Sequence, residues 1–484
     1  MSKKICLILL AAFTSFLSCS DKPDRTEMTV LIRMMDVQDL WFREKMKQFE
    51  KEHKVKINVV TFDQVEDVRQ MIDLEIRSGE NKIGLVKTAL EMVYPLAKEG
   101  YLMPLDEIVD SVQLQKDLDE YLQVAVDGGT IDNRIYYLPR KLETYLLFFL
   151  RSKVQDALDN WERDRDKIDG MLKRANGYGL TAGYQLETDP KQWDYYDLVV
   201  LSYFWANHPY HEITMPRFAH RGKRYSGTVN ELATRIFQLG GEKDDILFMN
   251  TNPVRDFFQW ESFFIQNKLY HPGIWEQAWS GGDIWRAIST GEVFMCYLHQ
   301  IDLFFVHGGS HPTMTGYLSH PSDLGVSIMP KGVSLELTSD GRLKREGGHL
   351  SNLYGWWWGT PVTSPDPELS YQLARFITSR EFQIEECSRF GMFPIRKDVL
   401  DDLGEAFDQE WKQTIFHATK LQFESGTKEL PRLSQWAQMG KNYLDAWYDI
   451  SVEKKQIKLK EISGSLKDYA QKNQAILSSS QAEK

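Results

Sequence analysis

Met28-Thr29-Val30-Leu31-Ile32-Arg33, Val55-Lys56-Ile57-Asn58-Val59-Val60 and Ile83-Gly84-Leu85-Val86 are three short apolar or β-branched runs, and each is followed by a helical pattern. Leu40 to Glu52 sets Leu40, Phe42, Met46 and Phe49 on one side, with Glu44, Lys45, Lys47 and Glu50 interspersed. Val65 to Ser78 reads as a second helix stopped at Gly79, and Ala89 to Glu99 as a third capped by Gly100. This strand–helix alternation predicts a parallel sheet with helices on both faces. Ligands of such sheets collect beyond the carboxyl ends of the strands, here Met34 to Asp39 and Lys87-Thr88.

Before this unit lies a targeting segment. Lys3 and Lys4 precede an apolar run from Ile5 to Leu17, too short for a stable membrane span, so residues 1–18 read as a signal peptide. Ser18-Cys19 at its end resembles a lipobox, in which the cysteine thiol is acylated. Phe16 and Leu17 stand where that pattern has a leucine and a small residue. Lipidation at Cys19 is expected, and plain secretion is the alternative. Residues 19–27 then form a polar tether. The body carries Cys296 and Cys387, with no metal or redox spacing, and a disulfide between them stays open.

The formal charge is −11, and −13 once Lys3 and Lys4 are removed, which argues against a nucleic-acid partner. No body segment has eighteen consecutive apolar residues. The 14 Trp and 21 Tyr suit either a large core or a grip on ring-shaped polar ligands.

Further on, Ile135 to Pro139 and Tyr145 to Leu150 read as strands, with Pro139 marking an edge or crossover. Helices are expected at Asp159 to Asn176, Trp193 to Trp205, Val229 to Leu239, Pro253 to Gln266, Gly282 to Thr290, Glu368 to Thr378 and Arg380 to Phe390. Strands are expected through Cys296 and at Leu324 to Pro330, and Leu335 to Gly347 reads as a surface hairpin or loop. Gly404 to Val452 is expected to be helical, and the remainder a polar, fraying helix.

Several segments, in order, resemble the extracellular solute-binding proteins of family 1, the sugar-binding components of ABC importers. They are Phe42 to Glu52 with the strand after it, Leu96 to Asp106, Asn133 to Pro139, Ile288 to Met295, Ala374 to Gln383 with Gly391 to Arg396, and Leu430 to Trp436. The likeness spans about residues 28–450. Gly177 to Tyr225 has no counterpart in it, and Gly84-Leu85-Val86 replaces the family's Pro-Asp-Val. The resemblance implies an α/β, two-lobed periplasmic-binding-protein fold with discontinuous lobes, hinge crossovers and a helical C-terminal extension. Residues 28–138 plus 324–402 would form the N-terminal lobe, 139–323 plus 403–452 the other, and 453–484 a polar helical tail. It also implies closure on a small solute, a mono- or oligosaccharide, and delivery to ABC permease subunits by a monomer held at the periplasmic or cell-surface side of the membrane.

A sugar offers apolar ring faces and a rim of hydroxyls, so its site needs flat aromatics with fixed donors and acceptors. Tyr354-Gly355-Trp356-Trp357-Trp358 is the leading candidate. On a strand Trp356 and Trp358 share one face and Trp357 takes the other, and core packing is the competing role. Trp279 and Asp283 come next, around a Gly281-Gly282 pair, with helix capping the competing role for Asp283. Tyr297, His299 and Gln300 sit just past a strand end, and Arg140, Lys141 and Glu143 follow the crossover. Trp436 matches the family's C-terminal pattern, where an aromatic stacks on the ligand.

No catalytic, phosphate-binding or dinucleotide motif is present, so neither a cofactor nor catalysis is expected. His208 with His211 and His307 with His311 lack further ligands for a metal. The competing functions are a sensory or receptor-partner lipoprotein of the same fold, and a binder of a polyol or glycerol phosphodiester.

Overall fold

The computed structural model describes residues 26–34, 36–208, 216–307, 321–407, 409–454 and 461–482. The signal peptide, Cys19, His211 and His311 lie outside them. Twelve strands are described: β1 Glu27–Ile32, β2 Lys56–Thr61, β3 Ile83–Ala89, β4 Thr130–Ile131, β5 Arg134–Ile135, β6 Tyr137–Glu143, β7 Tyr145–Leu150, β8 Arg217–Ala219, β9 Val293–His299, β10 Leu324–Ser327, β11 Ser351–Gly359 and β12 Thr427–Glu429.

The first lobe is built on the order β12-β11-β3-β1-β2, with β6 also paired to β11. β1 runs parallel to both β2 and β3, and β11 is antiparallel to β3. Strand alternation divides the core. Met28, Val30 and Ile32 pack with Phe42, Met46 and Phe49 of the helix Asp36–His53. Leu31 and Val86 face Val68 and Ile72 of the helix Asp67–Ser78. Both faces are therefore covered, as a parallel sheet requires. Leu40 departs from its expected place: it is 67% exposed, and Trp41 takes its role in the buried stripe.

The second lobe holds the order β10-β7-β9-β8. Its core is aromatic: Tyr195 and Tyr196 meet Trp260 edge-on, and Trp193 lies against Phe149. The aromatic richness of Gly177 to Tyr225 is thus largely core packing. Leu337 pairs with Leu343 and Val333 with Glu346, which makes the expected surface hairpin.

Two expected boundaries cut across pairings. β10 hydrogen-bonds β7 in the second lobe, although 324 was the expected return to the first. β12 pairs with Ser351 to Leu353 of β11, inside the stretch expected to be helical. The helix Glu410–Ser425 ends at Gly426, whose φ of 130° few side chains tolerate, and the chain leaves extended. A three-residue polar strand carries no alternation that reading the sequence can detect. The helix expected from Asp159 instead begins at Arg151 and is split by a tight turn at Trp161–Asp164. The C-terminal helix Ile462–Ala482 is docked, with Ile462, Leu466 and Asn473 buried. Cys296 and Cys387 are both buried and free, one in β9 and the other in the helix Arg380–Phe390 of the first lobe.

Candidate functional site between the lobes

The lobes join where β6 passes into β7 at Thr144. The Thr144 amide donates to Oε1 of Gln300 (3.0 Å), while Nε2 of Gln300 donates to the Leu142 carbonyl (3.0 Å). The Thr144 hydroxyl donates to the Asn352 carbonyl, and the Tyr145 amide to the Ser351 hydroxyl. Gln300 is therefore a clasp on the crossover, with both ends of its amide occupied.

Beside this crossover lies a cavity of about 550 Å³ between the lobes. Four helices line it: Asp67–Ser78 and Leu90–Lys98 of the first lobe, and Ser226–Gln238 and Trp436–Trp447 of the second. Glu91, Tyr225, Ser226 and Trp436 face it, flanked by Arg69 and Arg224. Such a volume fits a small polar ligand.

Glu91 is the principal acceptor. Its Oε1 takes the Tyr354 hydroxyl (3.1 Å), and its Oε2 is buried without a hydrogen-bond partner. Burial pushes the Glu91 pKa up, opposed by hydrogen bonds that include that of Tyr354. A buried acceptor left open is costly unless something fills it. Arg69 is tied to Glu99 at 2.7 Å and Arg224 to Asp445 at 2.5 Å, so both are held at the rim by carboxylates.

Tyr354, Trp356 and Trp436 are the expected residues that cluster at this cavity or directly behind it. Trp436 forms part of its wall. Tyr354 lies parallel to the His299 ring at 5.8 Å and meets Trp356 edge-on at 6.3 Å. Trp356 has the Lys87 ammonium 4.2 Å from its ring centre and donates from Nε1 to Glu143 (3.4 Å). Trp357 turns to the other face and donates to the Ala125 carbonyl. Trp358 lies under Arg140.

The other expected residues are engaged elsewhere. Arg140 sits at the register shift between β6 and β11 and pairs with buried Glu386. Tyr297 is enclosed in the second-lobe core, edge-on to Phe218 at 4.9 Å. Asp283 forms a capping box with Ser280 and an ion pair with Arg286. Trp279 lies flat on His271 at 4.2 Å. His208 bonds Asp164, and His307 stacks on Trp411. Among the described residues no group of three His, Cys, Asp or Glu has the geometry to hold a metal.

Sequence reasoning missed Glu91, Arg69, Tyr225 and Ser226. Glu91 was within reach of the strand-end rule, since it stands two residues past the end of β3, beyond the Lys87-Thr88 expected to line the cleft. Tyr225 closes the stretch without a family counterpart, and Arg69 and Ser226 carry no motif.

Solved structures share the fold. The maltose-bound MalE3 of T. maritima superposes with a TM-score of 0.66 at 16% identity, covering 93% of this chain and 100% of its own. A solute-binding protein from Thermotoga lettingae bound with α-D-tagatose gives 0.67 at 16%, covering 93% and 100%. The GacH receptor of Streptomyces glaucescens, solved unliganded and with acarbose, gives 0.66 at 15%, covering 94% and 99%. No curated protein matches the chain in sequence. Among the described residues no helix is long and apolar enough to cross a membrane. The family model described as bacterial extracellular solute-binding protein matches residues 44–415, and this chain belongs to that family, which places it at the periplasmic or surface side of the membrane.

Proposed function

We propose that this protein captures a carbohydrate in the cavity between its lobes and hands it to the permease of an ABC importer. The observation that carries this reading is the pairing of an aromatic wall, Trp436 and Tyr225, with the open buried acceptor of Glu91. A sugar ring covers the first with its apolar face and donates a hydroxyl to the second. The maltose, tagatose and acarbose held by the structural neighbours are in keeping with it. Closure couples to binding because Glu91 comes from one lobe and Ser226 and Trp436 from the other.

A thermal-shift screen of the mature chain against sugars, polyols and sugar phosphates tests the reading, since a ligand of the folded state raises the melting temperature. A shift with saccharides supports it, and a shift confined to polyols or phosphodiesters replaces it. With the ligand in hand, Trp436→Ala is expected to cost about 2 kcal/mol of binding, roughly 30-fold in Kd. Trp436→Phe, which keeps a flat ring, is expected to retain most of the affinity. Equal affinity in the alanine variant removes Trp436 from the site.

Lipid anchoring at Cys19 is part of the proposal. It rests on the basic residues Lys3 and Lys4, the apolar run to Leu17 and the Ser18-Cys19 junction. Cys19→Ser is expected to abolish metabolic labelling with a fatty acid and to move the protein from the membrane to the soluble fraction. Unchanged labelling would locate the acyl chain elsewhere.

A further inference from the structure

A second cavity, of about 760 Å³, adjoins the first. The two share Ser434 and lie along one helix, Leu90–Lys98. Glu91, Met92 and Pro95 of that helix turn to the first cavity, and Tyr94 and Lys98 to the second. The ion pair of Arg69 with Glu99 stands between them, because Arg69 lines one cavity and Glu99 the other.

The second cavity has saccharide-binding chemistry. Its charged members are already paired, Glu99 with Arg69 and Lys98 with Asp132 at 2.5 Å. The neutral polar groups are Ser434, Gln435, Gln474 and Ser478, beside the rings of Tyr94 and Phe248. Phe248 is 48% exposed and makes no ring contact among the described residues. Its display is built in. The next residue, Met249, holds a φ of 61°, a conformation non-glycine residues avoid, and this turn buries Met249 while leaving Phe248 outside.

The far wall is the C-terminal helix Ile462–Ala482, and it is fixed in place. Nδ2 of Asn442 donates to Oδ1 of buried Asn473 (2.7 Å) and to the Tyr469 carbonyl (2.9 Å), while Nδ2 of Asn473 donates to the Leu247 carbonyl (3.3 Å). Gln474 and Ser478 are thereby presented next to Phe248.

We infer that the second cavity is a further saccharide subsite, in which Phe248 stacks on a sugar ring and Gln474 and Gln435 bond its hydroxyls, so that the protein takes a chain of several sugar units. This rests on the carbohydrate reading of the first cavity and adds chain length to it. Calorimetric titration of the mature full chain with maltose, cellobiose and xylobiose and with their tetrasaccharides tests it. In the accepted series the tetrasaccharide is expected to bind at least about ten-fold more tightly than the disaccharide, as one added aromatic stack allows. Phe248→Ala and, separately, Gln474→Ala are expected to bring that ratio close to one without lowering the melting temperature, since Phe248 is half exposed. Equal binding of di- and tetrasaccharide, or variants that weaken both alike, overturns the subsite and leaves the carbohydrate reading standing. No binding of any saccharide at either length overturns both.

Discussion

Glu261→Ala is expected to destabilise the protein by about 3–5 kcal/mol, the usual cost of leaving one partner of a buried ion pair alone. Glu261 lies in the helix Asn252–Gln266 and is almost wholly buried. It pairs with buried Arg235, accepts from the Tyr270 hydroxyl (2.9 Å) and Trp447 Nε1 (2.7 Å), and lies 3.3 Å from Nε2 of His220. Burial alone would raise its pKa, but Arg235 and His220 hold it at about 2, so it is charged at any physiological pH. Removing it strands the guanidinium of Arg235 and the donors of Tyr270 and Trp447 together. The network also bears on the site. Arg235 belongs to Ser226–Gln238 and Trp447 to Trp436–Trp447, the two second-lobe helices that line the cavity. Glu261 ties their far ends together, so its loss is expected to loosen the cavity as well as the fold. Urea melts of Glu261→Ala, Arg235→Met and an Arg235→Met/Glu261→Met double variant make the test. The double variant is expected to be more stable than Glu261→Ala, because it removes both charges. A cost below about 1 kcal/mol for Glu261→Ala, or a double variant no better than it, would show that the pairing carries little.

Where the sequence repeats a physical pattern it is legible. Met28 to Gly100 announces its strands by β-branched runs and its helices by spaced apolar residues, and the parallel pairing of β1 with β2 and β3 follows from the connections. The site is less legible because its parts lie far apart in the chain: Glu91, Tyr225 and Trp436 meet only when the two lobes are brought together. Trp436 was reached through a family pattern, and Tyr354 and Trp356 through their density of rings. Rings alone do not separate cleft from core, since Tyr297 and Trp279 are enclosed by the same chemistry that placed Trp436 at a wall. Polar residues mislead when a local task absorbs them. Asp283 is used up as a cap, Gln300 by two backbone groups across the hinge, and Arg140 by Glu386, a partner 246 positions away. Glu91 is the converse case, a residue with no motif whose meaning comes from the oxygen left unpaired.

His299→Phe is expected to make the protein more resistant to acid than the natural sequence. His299 ends β9 at the crossover, its ring 4.0 Å from that of Tyr145 and parallel to Tyr354. Burial, then the nearby Arg221, and more weakly Lys141, push its pKa down to about 3, with Glu143 opposing. The folded protein therefore keeps this imidazole neutral, whereas the unfolded chain protonates it below about pH 6.5. Below that pH the unfolded state binds the extra proton, so the contribution is complete above about 6.5 and is lost progressively as pH falls towards 3. The ring edge keeps some exposure, so the loss is expected to be about 2 kcal/mol between pH 6.5 and 4.5, somewhat under the full linkage value. Phenylalanine preserves the ring stack and cannot take the proton. The window separates this group from Glu143 and Glu261, whose pKa values of about 2 withdraw stability only as pH falls from the ordinary carboxylate value of 4.5 towards 2. Carboxyls raised by burial, such as Asp197 at about 7, act with the opposite sign but are common to both proteins and cancel in the difference. Urea melts of both proteins at pH 7.5, 6.0 and 4.5 give the result. The variant's stability relative to the natural protein should rise by about 2 kcal/mol on acidification. Parallel curves would mean that His299 is protonated in the fold as readily as in the unfolded chain. Tyr354, stacked on His299, donates to Glu91, so a proton forced onto that imidazole is expected to disturb the Tyr354–Glu91 pair beside the cavity as well as the fold.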